Sequence, residues 1–299
     1  MKENASELVE KSVKFPCIKK YYGPHLNKLK EKHPLICHLK FNYYLFEFSL
    51  NRMNTMLKKL DGWADINKIV RDSKNPPQFF AALSELKVAA TIIDRVRYIK
   101  KLSSKDRSPT PDFEIQIDDQ VITLEVKRIG DKRGNPLEKE NRLNDSQYAQ
   151  EIDDIKKIIG DAEESILKGH QYRKGTPHIL ILDCGTLMGS DEFEDSFDLQ
   201  QNEPEFIYRK HGNKEKKVKN EKLFNEIDDS GKYIYSCLSG IIGIFDFQSI
   251  SMNPENDKVV ITKPHWVFYE NPHADRTIQI KKKVLDKLKI KIFNEKIAN

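Results

Sequence analysis

The segment Pro111-Asp112-Phe113-Glu114-Ile115-Gln116-Ile117-Asp118-Asp119-Gln120-Val121-Ile122-Thr123-Leu124-Glu125-Val126-Lys127 carries acidic and basic residues at a spacing that could do chemistry. Apolar and polar residues alternate on either side of Asp118-Asp119, which predicts two strands joined by a two-residue turn. That register sets Asp112 opposite Glu125, Phe113 opposite Leu124 and Ile115 opposite Ile122. Asp112, Glu125 and Lys127 then share one face, because side chains alternate with period two. Two carboxylates so opposed would have Cβ atoms about 4.5 to 5.5 Å apart and repel unless a cation compensates. Mg²⁺ suits such a site and Mn²⁺ can substitute, since both take hard oxygen ligands together with waters and a phosphate oxygen. Lys127 would stabilise charge developing on a phosphorane, or help orient and deprotonate the attacking water. The rival reading is an exposed ribbon face whose charges serve solubility. Glu114 shares the polar face but lies further from Glu125, so it is a secondary candidate.

These residues need elements to position them. Upstream, QFFAALSELKVAATIID carries Phe79, Leu83, Leu86, Ala90 and Ile93 at helical spacing after the break Asn75-Pro76-Pro77. RVRYIKKL follows as a short strand, then DFEIQI and VITLEVKRI as the two strands of the motif, then a polar loop from Asp131 to Asp145. SQYAQEIDDIKKIIGDAEESILKG reads as a second helix with Tyr148, Ile152, Ile155, Ile159, Ala162 and Ile166 on its apolar stripe and Gly169 at its end. The apolar run HILILDC is a buried strand. Residues 78 to 184 are therefore ordered helix, three strands, helix, strand. GIIGIFDF and HWVFYE add strands beyond this core. Residues 1 to 70 read as short helices broken by HPL and by Gly62.

Pro111-Asp112, a gap of twelve residues and Glu125-Val126-Lys127 together resemble the signature of the PD-(D/E)XK, or restriction-endonuclease-like, nuclease superfamily. The element order over 78 to 184 is that of the superfamily's core. The resemblance implies an α/β fold with a mixed central sheet. It divides the chain into a helical N-terminal region over 1–75 and a nuclease-like domain over 76–299 with a C-terminal sheet extension. It implies metal-dependent hydrolysis of phosphodiester bonds in nucleic acid, DNA ahead of RNA, in restriction, antiviral defence or repair. Asp112, Glu125 and the Val126 carbonyl would hold the ion, and Lys127 would support the transition state. Many members add a glutamate from the first core helix, and Glu85 matches it as a further ligand. Its neighbours Ala81, Ala82, Val88, Ala89 and Ile92 are apolar, which turns its carboxylate towards the sheet. The other reading pairs Glu85 with Lys87 or a surface arginine. In the second helix Gln147, Gln150 and Lys156 are polar residues that could assist.

Composition sets outer limits. The net charge of +5 permits a polyanionic partner without identifying one. Lysines gather in KHGNKEKKVKNEK (210 to 222) and IKKKVLDKLKIKIF (280 to 293), either as basic faces that attract phosphates or as a solvated loop and a solvated helix face. Cys17, Cys37, Cys184 and Cys237 lie far apart without a CxxC pair, so no disulfide framework or cysteine zinc site is indicated. The histidines form no HExxH pair, and no GxxxxGK[ST], GxGxxG or GxSxG occurs, which sets aside an intrinsic nucleotide-driven motor and a serine hydrolase. No apolar run approaches the roughly 20 residues of a membrane span, and MKENASELVEKSVKF lacks a signal peptide's apolar stretch, so the expected compartment is the cytoplasm. Two rivals stand beside the nuclease: a catalytically silent nucleic-acid-binding scaffold that kept the fold, and an interaction protein whose N-terminal helical region binds a protein partner or a second copy.

Overall fold

The computed structural model describes residues 8, 10–40, 44–102, 110–128, 175–185, 206–211, 214–219, 230–233, 236–245, 248–250, 259–261, 265–274 and 280–292. The second helix read from the sequence, with Gln147, Gln150 and Lys156, and the loop before it lie outside these residues. Chain contacts divide the molecule into two units, one of residues 1–102 and 112–119, the other of 103–111 and 120–299.

In the first unit the helices start and stop where the sequence breaks. They are α1 (Pro16–Tyr22), α2 (Pro34–Lys40), α3 (Tyr44–Lys59), α4 (Ile66–Ser73) and α5 (Phe79–Ile92). The HPL break is a helix start: Pro34 opens α2, and the buried His33 accepts the Leu35 N–H on Nδ1 at 3.1 Å. That bond fixes the tautomer, so Nε2 carries the hydrogen and donates it to the Ser73 carbonyl at 3.0 Å. Gly62 adopts φ +89, the left-handed conformation that a non-glycine residue resists. Helix α5 is apolar around most of its circumference, and Phe79, Leu86, Val88, Ala89 and Ile92 are all buried. Helices α3 and α4 pack on it, so the helical N-terminal region and α5 share one core. Strands β1 (Tyr98–Lys101) and β2 (Phe113–Ile117) pair antiparallel in this unit, with Ile99 opposite Ile115 and Lys101 opposite Phe113.

Burial lowers the pKa of His33, so its contribution to stability is present above the unfolded value of about 6.5 and is lost as pH falls below it. His33→Ala should cost about 2 kcal/mol, because it removes a helix cap and strands the Ser73 carbonyl. The variant should also show less of the wild type's decline in stability on the acid side. Urea unfolding at about pH 7.5 and about pH 5.5 measures both, and equal stabilities at both values would contradict this account.

The second unit is built on a five-stranded mixed sheet. Its strands are β3 (Gln120–Arg128), β4 (His178–Gly185), β7 (Gly240–Phe245), β10 (His265–Glu270) and β11 (Lys291–Ile292), adjacent in that order. β3, β4 and β7 run parallel, β10 is antiparallel to β7, and β11 is parallel to β10. The expected strands GIIGIFDF and HWVFYE thus extend the sheet. Parallel strands are covered on both faces, which explains the unbroken burial of Ile179 to Leu182 and of Ile241 and Ile242. Helix α6 (Lys282–Leu288) buries Val284, Leu285 and Leu288 and leaves Lys282, Lys283 and Lys287 exposed. The lysine-rich stretch near 210 forms part of a hairpin and not a loop, because β5 (Phe206–His211) pairs antiparallel with β6 (Lys214–Lys219). A second small hairpin joins β8 (Gln248–Ile250) to β9 (Val259–Ile261). Cys17, Cys37 and Cys237 are free thiols, and among the described residues no helix is long and apolar enough to cross a membrane.

Candidate functional site

β1 reaches the site because the N-terminal helices hold its free edge. Trp63 Nε1–H donates to the Ile99 carbonyl at 3.1 Å, and the Lys101 N–H donates to Asp65 Oδ2 at 2.9 Å. Lys68 Nζ donates to the Lys101 carbonyl at 3.2 Å and pairs with Asp65 Oδ1 at 2.8 Å. These groups satisfy a strand edge that would otherwise present open donors and acceptors. They also fix the backbone of Lys101, whose side chain alternates inward with Ile99.

The Lys101 ammonium lies between two of the carboxylates singled out from the sequence. Its Nζ is 2.7 Å from Glu85 Oε2 and 2.9 Å from Asp112 Oδ1, and it sits 5.1 Å from the Phe113 ring centroid. The side chains are largely shielded, at 8% exposure for Lys101, 14% for Glu85 and 20% for Asp112. Glu85 therefore faces inward, and it pairs with Lys101, not with Lys87 or an arginine. Burial above all, and then the Asp112 charge, raise the Glu85 pKa against the opposing pull of Lys101, and it stands at about 7. For Lys101 burial favours the neutral amine, but the Asp112 and Glu85 charges and their hydrogen bonds outweigh it, so its pKa is raised. Such a buried triad is strongly interdependent, since removing one partner of a buried pair typically costs about 3 to 5 kcal/mol.

Asp118-Asp119 form the expected two-residue turn between β2 and β3, with Asp118 in the left-handed region at φ 52. β2 alternates as read from the sequence, burying Phe113, Ile115 and Ile117. β3 does not. Ile122 to Val126 are all buried, as suits a strand in a parallel sheet covered on both sides. Glu125 is only 3% exposed, so the solubility reading of an exposed ribbon face fails for it. Its Oε1 lies 2.6 Å from Lys127 Nζ, whose side chain is 36% exposed. Val126 stands between them in register with Ile181, while Glu125 and Lys127 are in register with Leu180 and Leu182 of β4. Glu114 is engaged at the surface, where it accepts the Tyr98 hydroxyl at 2.7 Å. Asp112 belongs to the first unit and Glu125 to the second.

Two buried charged residues outside the sequence-derived set stand out, one beside Glu85 and Asp112 and one across the sheet from Glu125. Lys101 is the first, and its signal was a lysine at the inward position of a short strand, in phase with Ile99. The second is the buried Asp183, in register with Arg128 and so, by alternation, on the sheet face opposite that of Glu125. Among the described residues no three His, Cys, Asp or Glu side chains converge as a ready metal cage. Glu85 and Asp112 fit a divalent ion by donor chemistry and by converging on one point, but only with the Lys101 ammonium displaced from between them. Comparison with protein-family models, curated proteins and solved structures finds no match to this chain.

Proposed function

We propose that this chain is a divalent-metal-dependent nuclease with a restriction-endonuclease-like core, acting in the cytoplasm on nucleic acid, DNA ahead of RNA. The observation that carries this reading is the state of its acidic residues: Glu125, Glu85 and Asp112 are shielded carboxylates, each held against a lysine ammonium. Buried carboxylates of this kind persist only with cations to balance them. Supporting the fold are the helix and three strands in the expected order, and β3 running parallel to β4. Supporting a polyanionic partner is the β5–β6 ribbon, which sets Arg209 opposite Lys216 and Tyr208 opposite Lys217. A two-stranded ribbon is one of the shapes that a DNA major groove admits.

In this reading Asp112, Glu125, the Val126 carbonyl and Glu85 hold Mg²⁺ or Mn²⁺. When bound, the ion polarises the phosphate and lowers the pKa of water. The chain's own groups do the rest. Lys127, partly exposed and paired with Glu125, neutralises charge that develops on the scissile phosphate. The low exposure of Glu125 keeps its field unscreened. A protein partner or a second copy, where one is needed, docks on the N-terminal helical region.

Lys101 favours a second reading, in which its ammonium permanently occupies the cation position between Glu85 and Asp112 and the protein binds nucleic acid without cutting it. Incubation with single- and double-stranded DNA and RNA separates the two. The nuclease cuts with Mg²⁺ or Mn²⁺ and not with EDTA. Binding with no cleavage of any of these nucleic acids even when Mg²⁺ or Mn²⁺ is supplied would overturn the enzyme in favour of the scaffold.

A further inference from the structure

We propose that Lys101 is an internal competitor for divalent metal: its ammonium fills the cation position between Glu85 and Asp112, and it must swing out before an ion is held there. The inference rests on the metal-dependent reading of this site and adds its regulation.

Three observations carry it. The contact is doubly specific, because one nitrogen lies within hydrogen-bond distance of two carboxylates, Glu85 Oε2 at 2.7 Å and Asp112 Oδ1 at 2.9 Å. A metal shared by the same two oxygens at about 2.1 Å from each would overlap that nitrogen, so the two cations exclude one another. The second observation is charge. A divalent ion brings two positive charges to the point between these two carboxylates, where the ammonium brings one. Exchange of ammonium for metal therefore strengthens the electrostatics of a shielded site instead of weakening it.

The third observation concerns mobility. The Lys101 backbone is clamped through its N–H to Asp65 and its carbonyl to Lys68, so displacement requires no movement of β1 and only rotation of a four-carbon stem. The ammonium would leave the carboxylates while its Cα stays in place. Released in this way, it becomes a free cation beside the site, with a charge suited to a phosphate. Metal occupancy and the availability of Lys101 to an anion are then linked, since each favours the other.

Calorimetric Mn²⁺ titration of the full chain tests this with two variants that move affinity in opposite directions. Lys101→Met removes the competitor and keeps the stem, and Mn²⁺ should bind at least about tenfold more tightly. Lys101→Arg keeps the charge and offers a forked, more tenacious grip on both carboxylates, and Mn²⁺ should bind more weakly than to wild type. The arginine variant keeps the inference testable if the methionine variant fails to fold. Equal affinity of wild type and both variants would overturn the competitor while leaving a metal-dependent nuclease standing. Binding to Lys101→Met but not to wild type would support the competitor and sink the nuclease reading for the natural chain. No binding to any of the three would overturn both.

Discussion

Glu125→Ala and Lys127→Ala should each lower metal-dependent cleavage by at least about a hundredfold, the scale expected when a charge that stabilises a transition state is removed. They should differ in everything else. Losing Glu125 removes a proposed ligand, so Mn²⁺ affinity falls. Losing Lys127 removes a positive charge 2.6 Å from Glu125 Oε1, so affinity stays equal or rises. The stability effects run the other way. Glu125→Ala takes a buried carboxylate out of the sheet and leaves Lys127, with a side chain 36% exposed, able to be solvated. Lys127→Ala takes a cation from a carboxylate that is 3% exposed and should cost roughly 1 to 3 kcal/mol. Cleavage assays, Mn²⁺ calorimetry and urea unfolding on the same preparations resolve the two patterns. If Lys127→Ala cuts as well as wild type, the assignment of Lys127 as the stabilising cation is wrong.

The motif's local geometry was legible because it depends on neighbours in sequence. Alternation around Asp118-Asp119 predicts the turn, and Asp118 does take the left-handed backbone such turns require. Alternation then misleads for β3. Thr123 and Glu125 interrupt an otherwise apolar run, which reads as one polar face, yet both are buried because β4 lies parallel beside them. Whether a strand is covered on one side or two is a property of the sheet and not of the strand. The position of Lys101 was harder still. It follows from Trp63 reaching Ile99 and Asp65 reaching Lys101, contacts between the α3–α4 connection and a strand that no local periodicity reports. The N-terminal helices had no assigned chemistry in the sequence, and their visible task in the first unit is to deliver that lysine to Glu85 and Asp112. The apolar surroundings of Glu85 did announce a buried carboxylate. They did not announce which cation it would meet.

Gly240→Ala should unfold or severely destabilise the second unit, and it serves as the structural counterpart of the Glu125 variant. β7 lies between β4 and β10, with Gly240 in register with Ile179 on one side and Glu270 on the other. A Cβ at position 240 would lie 2.5 Å from the Tyr269 carbonyl oxygen and 2.6 Å from two atoms of the Phe268 ring. Neither obstacle yields easily. The carbonyl belongs to a strand paired with β7, and Phe268 is buried. The surrounding loops add constraint, because the Ser239 N–H donates to the His178 carbonyl, the Asn271 N–H to the Ser239 carbonyl and Asn271 Nδ2 to the Leu238 carbonyl. Moving β7 away from β10 would therefore disturb the start of β4, and with it the strand that flanks Glu125 and Lys127. The expected cost is roughly 3 kcal/mol or more, above the usual range for added volume because backbone is among the atoms struck. Urea unfolding followed by tryptophan fluorescence reads this, since the buried Trp266 lies on β10. Gly240→Ala should lose cleavage together with its folded signal, whereas Glu125→Ala should lose cleavage and keep it. A Gly240→Ala protein as stable as wild type would show that β7 and β10 do not approach as closely as described.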